Sequence, residues 1–401
     1  ETVMNGIVQL MQEAQMHKPP IQQLADKISN IFIPLVLIFA ALTIMLNILI
    51  AQQTFGESLI RAIAVLVIAC PCAMGLATPA ALAMGMGRAA RNGILYTQPK
   101  SMELFHTIKN IVFDKTGTLT TGKFEISNYQ WQGISEDKFK KIVYSLEKRS
   151  NHPIAKSICE IWKQNDAIKW GKIEEIKGLG VKGVDQEGNI FLIGSDKINK
   201  NIIDKNHHLY LQKNDAIIGW IDIEDEIRSE AKDVILFCKQ HNIKTILLSG
   251  DRLSKCKLVA DIVGIDEVFS QQTPQQKLQY IEQLCTIAPT VMVGDGINDA
   301  PALAKATISI SLSQASQLAI QNTSVVLTNN GLKNLPISMM LGKATYNTVK
   351  SNLFWAFAYN IIAIPFAAMG FLSPAIGALV MGASDVVLVL NSLWLGVKKL
   401  K

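Results

Sequence analysis

Three stretches of this sequence are long, apolar and almost free of charge, and they restrict what the chain can fold into more than any other feature. Residues 31–50 and 62–87 contain no charged side chain, and between Lys350 and Lys398 the only one is Asp385. A helix needs about 20 apolar residues to cross a hydrocarbon core of about 30 Å. The third stretch is long enough for two crossings. The sequence therefore predicts membrane spans at residues 30–51, 59–87, 350–370 and 374–397.

The positions of lysine and arginine predict which side of the membrane each part occupies. The links at 51–58 and 369–375 contain neither residue, whereas several flank the other ends of the spans. Cytoplasmic loops carry an excess of these residues, so both ends of the chain and its long middle segment are predicted to be cytosolic. The flanking lysines account for much of the formal charge of +6, which needs no nucleic-acid partner. We expect a multi-pass integral protein of the cell or plasma membrane, with the lipid bilayer as a partner.

Three short apolar runs in the middle segment are typical of buried parallel strands, and each ends at a turn that carries aspartate. The runs are Ile111–Phe113, Thr245–Leu248 and Thr290–Val293. They precede Asp114, Asp251 and, in the third case, Asp295 with Asp299. Ligands of open parallel sheets bind beyond the carboxyl ends of the strands, where such turns converge. Gathered carboxylates repel one another without a divalent cation, and oxygen ligands suit Mg²⁺. The pattern therefore predicts a site for magnesium and phosphate.

The same turns carry motifs that resemble those of a known family. Residues 114–120, Asp-Lys-Thr-Gly-Thr-Leu-Thr, resemble the phosphorylation motif of the P-type ATPases. Residues 294–301, Gly-Asp-Gly-Ile-Asn-Asp-Ala-Pro, resemble the hinge motif of that family, and residues 249–251, Ser-Gly-Asp, resemble its Thr-Gly-Asp motif. The resemblance covers essentially the whole chain. It implies a multi-pass α-helical membrane domain and a cytosolic α/β haloacid-dehalogenase-like phosphorylation domain with an inserted α+β nucleotide-binding domain.

The resemblance also implies roles for particular residues. Asp114 is the implied nucleophile, which takes the γ-phosphate of ATP as an aspartyl-phosphate while cations neutralise its approach. Lys277, in a Thr-Pro-Gln-Gln-Lys stretch, is implied to screen the phosphoryl oxygens. Ser249 and Asp251 complete the implied catalytic set. The implied ligands of Mg²⁺ are Asp114, the backbone carbonyl of Thr116, Asp295 and Asp299.

Residues 123–220 have apolar runs of their own, and the resemblance identifies them as the nucleotide-binding domain. His152 is followed by proline, and this pair resembles the His-Pro pair of the heavy-metal class of these pumps. Glu147 matches the acid that contacts adenine. Gly178 and Gly180 lie in the matching glycine loop, where glycine allows close backbone approach to the base. Asn151 departs from the family, which usually has glutamate there. ATP and Mg²⁺ are therefore the implied cofactors.

The second predicted span contains Cys70-Pro71-Cys72 near its middle. Proline has no amide hydrogen, so we expect the helix to open locally and to leave the carbonyl of Val67 unpaired. Two thiols beside such a break suit a soft cation such as Cu(I) or Zn²⁺. A purely structural role for the two cysteines is the alternative, and the proline between them argues against it.

The last two spans supply the other predicted ligands of the transported ion. Copper(I) pumps carry Tyr-Asn and then Met with Ser-Ser in these helices, and the matching residues are Tyr359, Asn360, Met381 and Ser384. Asp385 departs from the pattern, because it occupies the position of the second serine. A carboxylate inside a span is costly unless it is paired, so we expect Asp385 to be functional. The sulfur ligands favour Cu(I) as cargo, while Asp385 keeps a divalent, zinc- or cadmium-like pump as an alternative.

The same resemblance sets the remaining boundaries. Residues 88–122 and 221–335 are assigned to the phosphorylation domain, and residues 1–29 to a cytosolic stalk that follows an actuator domain. The Thr-Gly-Glu motif of an actuator does not occur in the sequence. We therefore expect the C-terminal portion of a pump that does not turn over alone, with a separate chain as a source of the actuator and a copper chaperone as a source of metal. A soluble phosphatase of the same fold would lack the spans, whereas a non-cycling membrane metal-binding protein stays an alternative.

Overall fold

The computed structural model describes residues 20–70, 72–164, 166, 168–176, 178–199, 202, 207–294, 299–312, 323–328 and 331–400, without the side chains of residues 22, 24–26, 72–74 and 153. The helices, in chain order, are α1 (Pro20–Leu49), α2 (Phe55–Ile68), α3 (Cys72–Arg91), α4 (Lys100–Leu104), α5 (Glu136–Glu147), α6 (Pro153–Ile161), α7 (Ala231–Gln240), α8 (Leu253–Val263), α9 (Pro274–Ile287), α10 (Ala300–Lys305), α11 (Asn334–Ala368) and α12 (Pro374–Leu395). The strands are β1 (Ile94–Tyr96), β2 (Asn110–Phe113), β3 (Thr120–Trp131), β4 (Lys172–Ile176), β5 (Gly180–Val184), β6 (Ile190–Gly194), β7 (Leu209–Lys213), β8 (Ala216–Ile227), β9 (Lys244–Leu248), β10 (Glu267–Phe269), β11 (Thr290–Gly294), β12 (Ile308–Leu312) and β13 (Val325–Leu327).

The chain divides into two compact units. The main unit consists of Glu1–Lys115 and Glu230–Lys401, and the inserted unit consists of Thr116–Ser229. The main unit holds the long apolar helices and one sheet, and the inserted unit holds a second sheet.

Within the described part of the chain, three helices are long and apolar enough to cross a bilayer, namely Lys27–Leu49, Gly331–Ala368 and Pro374–Leu395. The span predicted at 59–87 is not a single helix, because it is divided between α2 and α3. The division falls at the Cys-Pro-Cys sequence, where proline provides no amide hydrogen to continue the helix. Large apolar side chains on the outer faces are exposed, for example Leu49 at 70% and Ile361 at 74%. Such faces are suited to lipid.

Polar contacts tie the ends of these helices together. At the lysine-rich end, the Arg88 guanidinium donates to the carbonyl oxygens of Leu395 (2.7 Å) and Lys398 (2.6 Å). These carbonyls lie at the C-terminal end of α12, where a cation is favourable. At the opposite end, Asn47 Nδ2 on α1 donates to the carbonyl oxygen of Ala368 at the end of α11 (3.0 Å).

The sheet of the main unit is almost entirely parallel. Its strand order is β1-β13-β12-β11-β2-β9-β10, and only the β1–β13 pair is antiparallel. All residues of β2 and β11 are buried, as expected for central strands of a sheet with both faces covered. The predicted strands β11, β2 and β9 are therefore neighbours, so their carboxyl ends lie at one edge of the sheet.

The inserted unit has an antiparallel sheet of order β3-β8-β7-β6-β5-β4. Helices α5 and α6 contribute to its core, in which Phe139, Ile142 and Ile158 pack with Ile193 and Leu211 of the strands. The unit therefore has a hydrophobic core of its own.

Candidate active site and ion site

Asp114 directly follows the central strand β2 of the main unit. Its backbone N–H donates to the carbonyl oxygen of Val293 on β11 (2.9 Å), which extends the pairing of the two strands by one residue. The residue is only 7% exposed. The sheet therefore holds the predicted nucleophile rigidly at its carboxyl edge.

Lys277 connects two carboxylates that are distant in the sequence. It lies in the first turns of α9, whose start is fixed by a capping box between Thr273 and Gln276. Its Nζ is 2.7 Å from Asp114 Oδ1 and 2.9 Å from Asp299 Oδ1. Burial by itself lowers the pKa of Lys277, but the two carboxylates raise it by more, so its pKa is above the ordinary value. Lys277 is therefore a fixed cation beside the predicted nucleophile.

Asp299 has an oxygen that fits a metal ion. The residue is 3% exposed, and its Oδ2 is buried without a hydrogen-bond partner among the described residues. A buried carboxylate oxygen is costly when unpaired, and a hard divalent cation would satisfy it. Asp295, the other predicted aspartate of this turn, lies outside the described residues. Asp299 and Asp114 thus fit a Mg²⁺ ion bound at the edge of the sheet.

An ion pair between Lys115 and Asp251 also lies at this edge. Lys115 is 6% exposed, and its Nζ contacts the carboxylate of Asp251. Ser249 is also buried, and its hydroxyl accepts from the backbone N–H of Asp251 (3.2 Å). The predicted Ser249 and Asp251 are thus joined to the turn of Asp114 through a lysine to which sequence reasoning gave no role. Its position between Asp114 and Thr116 in the motif was the available signal.

The inserted unit begins with the rest of the phosphorylation motif. Thr116 has φ −74° and ψ 127°, and Gly117 has φ 73°, a left-handed conformation that favours glycine. The Arg228 guanidinium donates to the carbonyl oxygens of Gly117 (3.1 Å) and Thr118 (3.0 Å). Asp225 accepts from the hydroxyl of Thr120 (2.6 Å). These bonds stabilise the turn, and coordination of Mg²⁺ by the Thr116 carbonyl stays a prediction.

Glu147 is a buried carboxyl group in the inserted unit. It is the last residue of α5 and is 6% exposed. Burial, and secondly the charge of Glu175 on β4, raises the pKa of Glu147 to about 7. The helix end lies on the β4–β5 hairpin, because a Cβ at Gly183 of β5 would be 2.7 Å from Leu146. Glu147 is therefore a buried carboxyl group with a raised pKa near the predicted glycine loop.

The other residues predicted to bind nucleotide each have a different structural role. His152 is the N-cap of α6, where its Nδ1 accepts from the backbone N–H of Ile154 (3.3 Å). Gly178 has φ +78° and open space around its Cα, so a base could approach it closely. Gly180 has φ +149°, and a Cβ there would overlap the carbonyl oxygen of Ile193 on β6. The pairing of β5 with β6 is therefore sufficient to explain why residue 180 is glycine.

The predicted ion site lies where α2 ends. The prediction that the carbonyl of Val67 is unpaired is wrong, because this carbonyl oxygen accepts from the backbone N–H of Cys70 (3.4 Å). The neighbouring carbonyl of Ile68 accepts instead from the Tyr359 hydroxyl on α11 (3.2 Å). A Cβ at Gly377 of α12 would be 2.6 Å from the Ile68 side chain. Helices α2, α11 and α12 therefore meet beside half-buried Cys70, while the side chain of Cys72 lies outside the described residues.

Two further predicted ligands carry unsatisfied oxygen atoms. Asn360 is 2% exposed and donates to the carbonyl of Ala356 (3.0 Å). Its Oδ1 and the Oδ1 of Asp385 are buried without a hydrogen-bond partner among the described residues. Met381 and Ser384, on α12 with Asp385, are half-buried. The region therefore combines sulfur with oxygen atoms that a cation or a proton would satisfy.

Comparison with known proteins agrees with this geometry. Residues 108–307 match the family described as haloacid dehalogenase-like hydrolase. The copper-exporting P-type ATPase of Staphylococcus haemolyticus is 37% identical over 100% of this chain and 52% of that protein. The probable copper-importing P-type ATPase A of Enterococcus hirae is 35% identical over 100% of this chain and 57% of its own length. A solved zinc-transporting PIB-type ATPase in its E2.Pi state matches with a TM-score of 0.85 and 26% identity, over 98% of this chain and 67% of that one.

The chain belongs to the heavy-metal P-type ATPases. The parallel sheet of the main unit is accordingly its haloacid-dehalogenase-like phosphorylation domain, and the inserted unit is its nucleotide-binding domain, as the resemblance in the sequence implied. The chain spans about half the length of the curated relatives that it matches. The two relatives are known as copper pumps, and the solved structure is that of a zinc pump.

Proposed function

We propose that this chain carries the phosphorylation, nucleotide-binding and ion-binding parts of an ATP-driven metal pump whose cargo is Cu(I). The observation that carries the proposal is the contact of Lys277 with both Asp114 and Asp299, at the edge of the sheet where one oxygen of Asp299 has no hydrogen-bond partner among the described residues. A cation already beside the nucleophile and an oxygen suited to a second cation are what phosphoryl transfer to a carboxylate requires.

In the proposed reaction, a carboxylate oxygen of Asp114 attacks the γ-phosphorus of ATP. The bond from that phosphorus to the bridging oxygen breaks, and ADP leaves with the electron pair, so an aspartyl-phosphate forms. Lys277 neutralises charge on the phosphoryl oxygens as they approach Asp114. Asp114, Asp295, Asp299 and the carbonyl of Thr116 would hold Mg²⁺, which supplies further positive charge at the phosphate.

The inserted unit would bind the adenine end of ATP. Glu147 is buried at the end of α5 beside the β4–β5 hairpin, and Gly178 leaves open space in the turn of that hairpin. A carboxyl group with a pKa of about 7 can accept or donate a hydrogen bond to the base near neutral pH. His152 fixes the start of α6 and so the turn that follows Glu147.

The choice of Cu(I) rests on sulfur. Cys70 and Cys72 flank the break between α2 and α3, and Met381 lies on α12, whose Gly377 packs against the end of α2. Thiolate and thioether ligands select Cu(I) over harder ions. The relatives described as copper-exporting and copper-importing support the same cargo.

A divalent cation such as Zn²⁺ is the second candidate, and a specific observation favours it. The Oδ1 atoms of Asn360 and Asp385, which have no hydrogen-bond partner in the described part of the chain, are harder donors than sulfur. The carboxylate charge of Asp385 is also offset better by a divalent ion. The solved structure of a zinc-transporting relative supports this candidate.

We further propose a multi-pass arrangement in which α2 and α3 together form one crossing beside α1, α11 and α12. Arg88, Lys398 and the other basic residues that flank the spans then lie on the cytosolic side, together with the phosphorylation and nucleotide-binding domains. Lipid, ATP and the metal ion are the partners of this arrangement. Delivery of metal by a copper chaperone and an actuator on a second chain stay predictions.

Metal competition tests the cargo. The chain in lipid nanodiscs should bind Cu(I) in preference to Zn²⁺, and X-ray absorption should show two or three sulfur ligands at copper. Cys70→Ser should remove one sulfur ligand, whereas Asp385→Ser should keep the sulfur signal. Preference of the parent chain for Zn²⁺, together with loss of binding in Asp385→Ser, would replace the copper assignment with a divalent one. Absence of both binding and phosphorylation would refute the pump.

A further inference from the structure

A second polar cluster lies among the membrane helices, apart from the predicted ligands. Asn352 of α11 is fully buried, and its Nδ2 donates to the carbonyl oxygen of Ala77 on α3 (3.3 Å) and to the hydroxyl of Ser392 on α12 (3.0 Å). Its Oδ1 accepts from Asn391 Nδ2, also on α12 (2.7 Å). The Ser392 hydroxyl in turn donates to the carbonyl of Leu388 (2.9 Å). One asparagine thus joins three helices.

The cluster is in register with the ion site. Asn352 precedes Tyr359 on α11 by seven residues, and Ser392 follows Asp385 on α12 by seven residues. Seven residues are nearly two helical turns, so each pair lies on one face of its helix about 10 Å apart. On α3, Ala77 follows the helix start at Cys72. Helices α3, α11 and α12, which carry the predicted ligands Cys72, Tyr359 and Asp385, therefore all contribute to the cluster as well.

The Asn352 cluster and the predicted ion site differ in how their polar atoms are satisfied. In the cluster, both the amide nitrogen and the amide oxygen of Asn352 have partners. In the ion site, the Oδ1 atoms of Asn360 and Asp385 have none among the described residues. The amide oxygen of Asn352, the atom that a cation would need, already accepts a hydrogen bond, so this network is suited to fixing the elements that it joins. Within hydrocarbon, such bonds have no water to replace them.

We propose that Asn352 is a positioning residue for ion binding, which sets the spacing of α3, α11 and α12 and thereby the distances between Cys72, Tyr359 and Asp385. This inference rests on the proposed transport function and concerns the same ion. The hydrogen bonds of Asn352 within the described residues go to Ala77, Ser392 and Asn391, none of them a predicted ligand, so Asn352 would act through the helices. Its loss should therefore weaken metal binding and change the ligand set without affecting the nucleotide-binding domain.

The chain offers a graded set of variants for the test. Asn352→Ala removes three hydrogen bonds between helices, and Asn391→Ala removes one of them. Thr348→Ala is the matched control, because the Thr348 hydroxyl on the same helix donates to the carbonyl of Ala344 within that helix (3.0 Å), its one hydrogen bond among the described residues. The full chain in lipid nanodiscs would be titrated with Cu(I) and with Zn²⁺ against a chromophoric chelator, followed by X-ray absorption of each metal-loaded sample.

We expect Asn352→Ala to weaken binding of the preferred metal by about 10-fold and to alter its X-ray absorption spectrum. Asn391→Ala should lose less metal affinity than Asn352→Ala, and Thr348→Ala should bind the metal as tightly as the parent. Binding of an ATP analogue should be equal in all variants, which separates positioning from loss of the fold. If Asn352→Ala is misfolded, Asn391→Ala decides the question by the same readouts.

Metal affinities and spectra of Asn352→Ala and Asn391→Ala that equal those of Thr348→Ala would overturn the proposal while leaving the pump in place. A lower unfolding temperature with unchanged spectra and affinity would also overturn it, since that result describes a structural residue. A parent chain that binds neither Cu(I) nor Zn²⁺ would refute the proposed function itself, and this inference with it.

Discussion

Replacement of Lys277 by methionine removes the cation between two buried carboxylates while keeping much of the side-chain volume. Asp114 and Asp299 are 7% and 3% exposed, and each has an oxygen within 2.9 Å of Lys277 Nζ. Removal of one member of a buried ion pair typically costs about 3–5 kcal/mol, because the partner stays buried and uncompensated. We expect the phosphorylation domain of Lys277→Met to lose about that much stability. The phosphoryl group would then approach two buried carboxyl groups without the cation that screens its charge, so phosphoenzyme formation should fall at least about 100-fold.

Hydrogen exchange of the backbone amides in β2 and β11 would measure the stability, and labelling with radioactive ATP would measure the phosphoenzyme. Lys305→Met is the matched control, because Lys305 is 57% exposed and pairs with Glu282 at the surface (3.1 Å). Such a pair contributes about 0–1 kcal/mol, so the control should match the parent. Added Mg²⁺ should stabilise Lys277→Met more than the parent. Equal exchange and equal labelling in the two variants would refute the role of Lys277.

Two further predictions concern the nucleotide-binding domain, whose tryptophans report its unfolding in urea. The folded domain keeps a proton on Glu147 that the unfolded chain has already released, so its free energy of unfolding should fall as the pH rises from 4.5 to about 7. The fall should be up to about 3 kcal/mol in the parent and absent in Glu147→Gln, and equal slopes would contradict the burial argument. Gly180→Ala should cost about 3 kcal/mol, because its Cβ overlaps the Ile193 carbonyl, whereas Gly178→Ala should cost about 1 kcal/mol for its positive φ. Equal costs would show that β5 and β6 can adjust.

The strands around the phosphorylation site could be predicted because their signal is local. The runs at Ile111–Phe113, Thr245–Leu248 and Thr290–Val293 lie within β2, β9 and β11, and the Asp-bearing turns mark their carboxyl ends. Parallel pairing then brings those turns to one edge without further information. The ends of the long helices were less predictable. Helix α11 begins at Asn334, well before the apolar stretch, because a helix continues through polar residues that hydropathy does not register.

The contacts that join distant residues could not be predicted from the sequence. Lys277 is 163 residues from Asp114, and Asn352 is 275 residues from Ala77. Neither spacing carries a periodic signal, since both depend on how separate elements pack. The error at Val67 has a related cause, because the chain turns after Ile68 and lets Cys70 supply the missing bond. A rule about regular helices does not describe a helix end.

Phosphorylation of Asp114 is the central claim of this account, and labelling with γ-³²P-ATP in the presence of metal tests it most directly. Membranes that contain the chain should form an acid-stable, hydroxylamine-sensitive phosphoenzyme, and peptide mapping should place the phosphate at Asp114. Asp114→Asn should form none while still binding nucleotide, because the amide keeps the shape of the side chain and removes the nucleophile. Labelling that persists in Asp114→Asn, or a parent chain that binds ATP and metal yet is never labelled, would contradict the account.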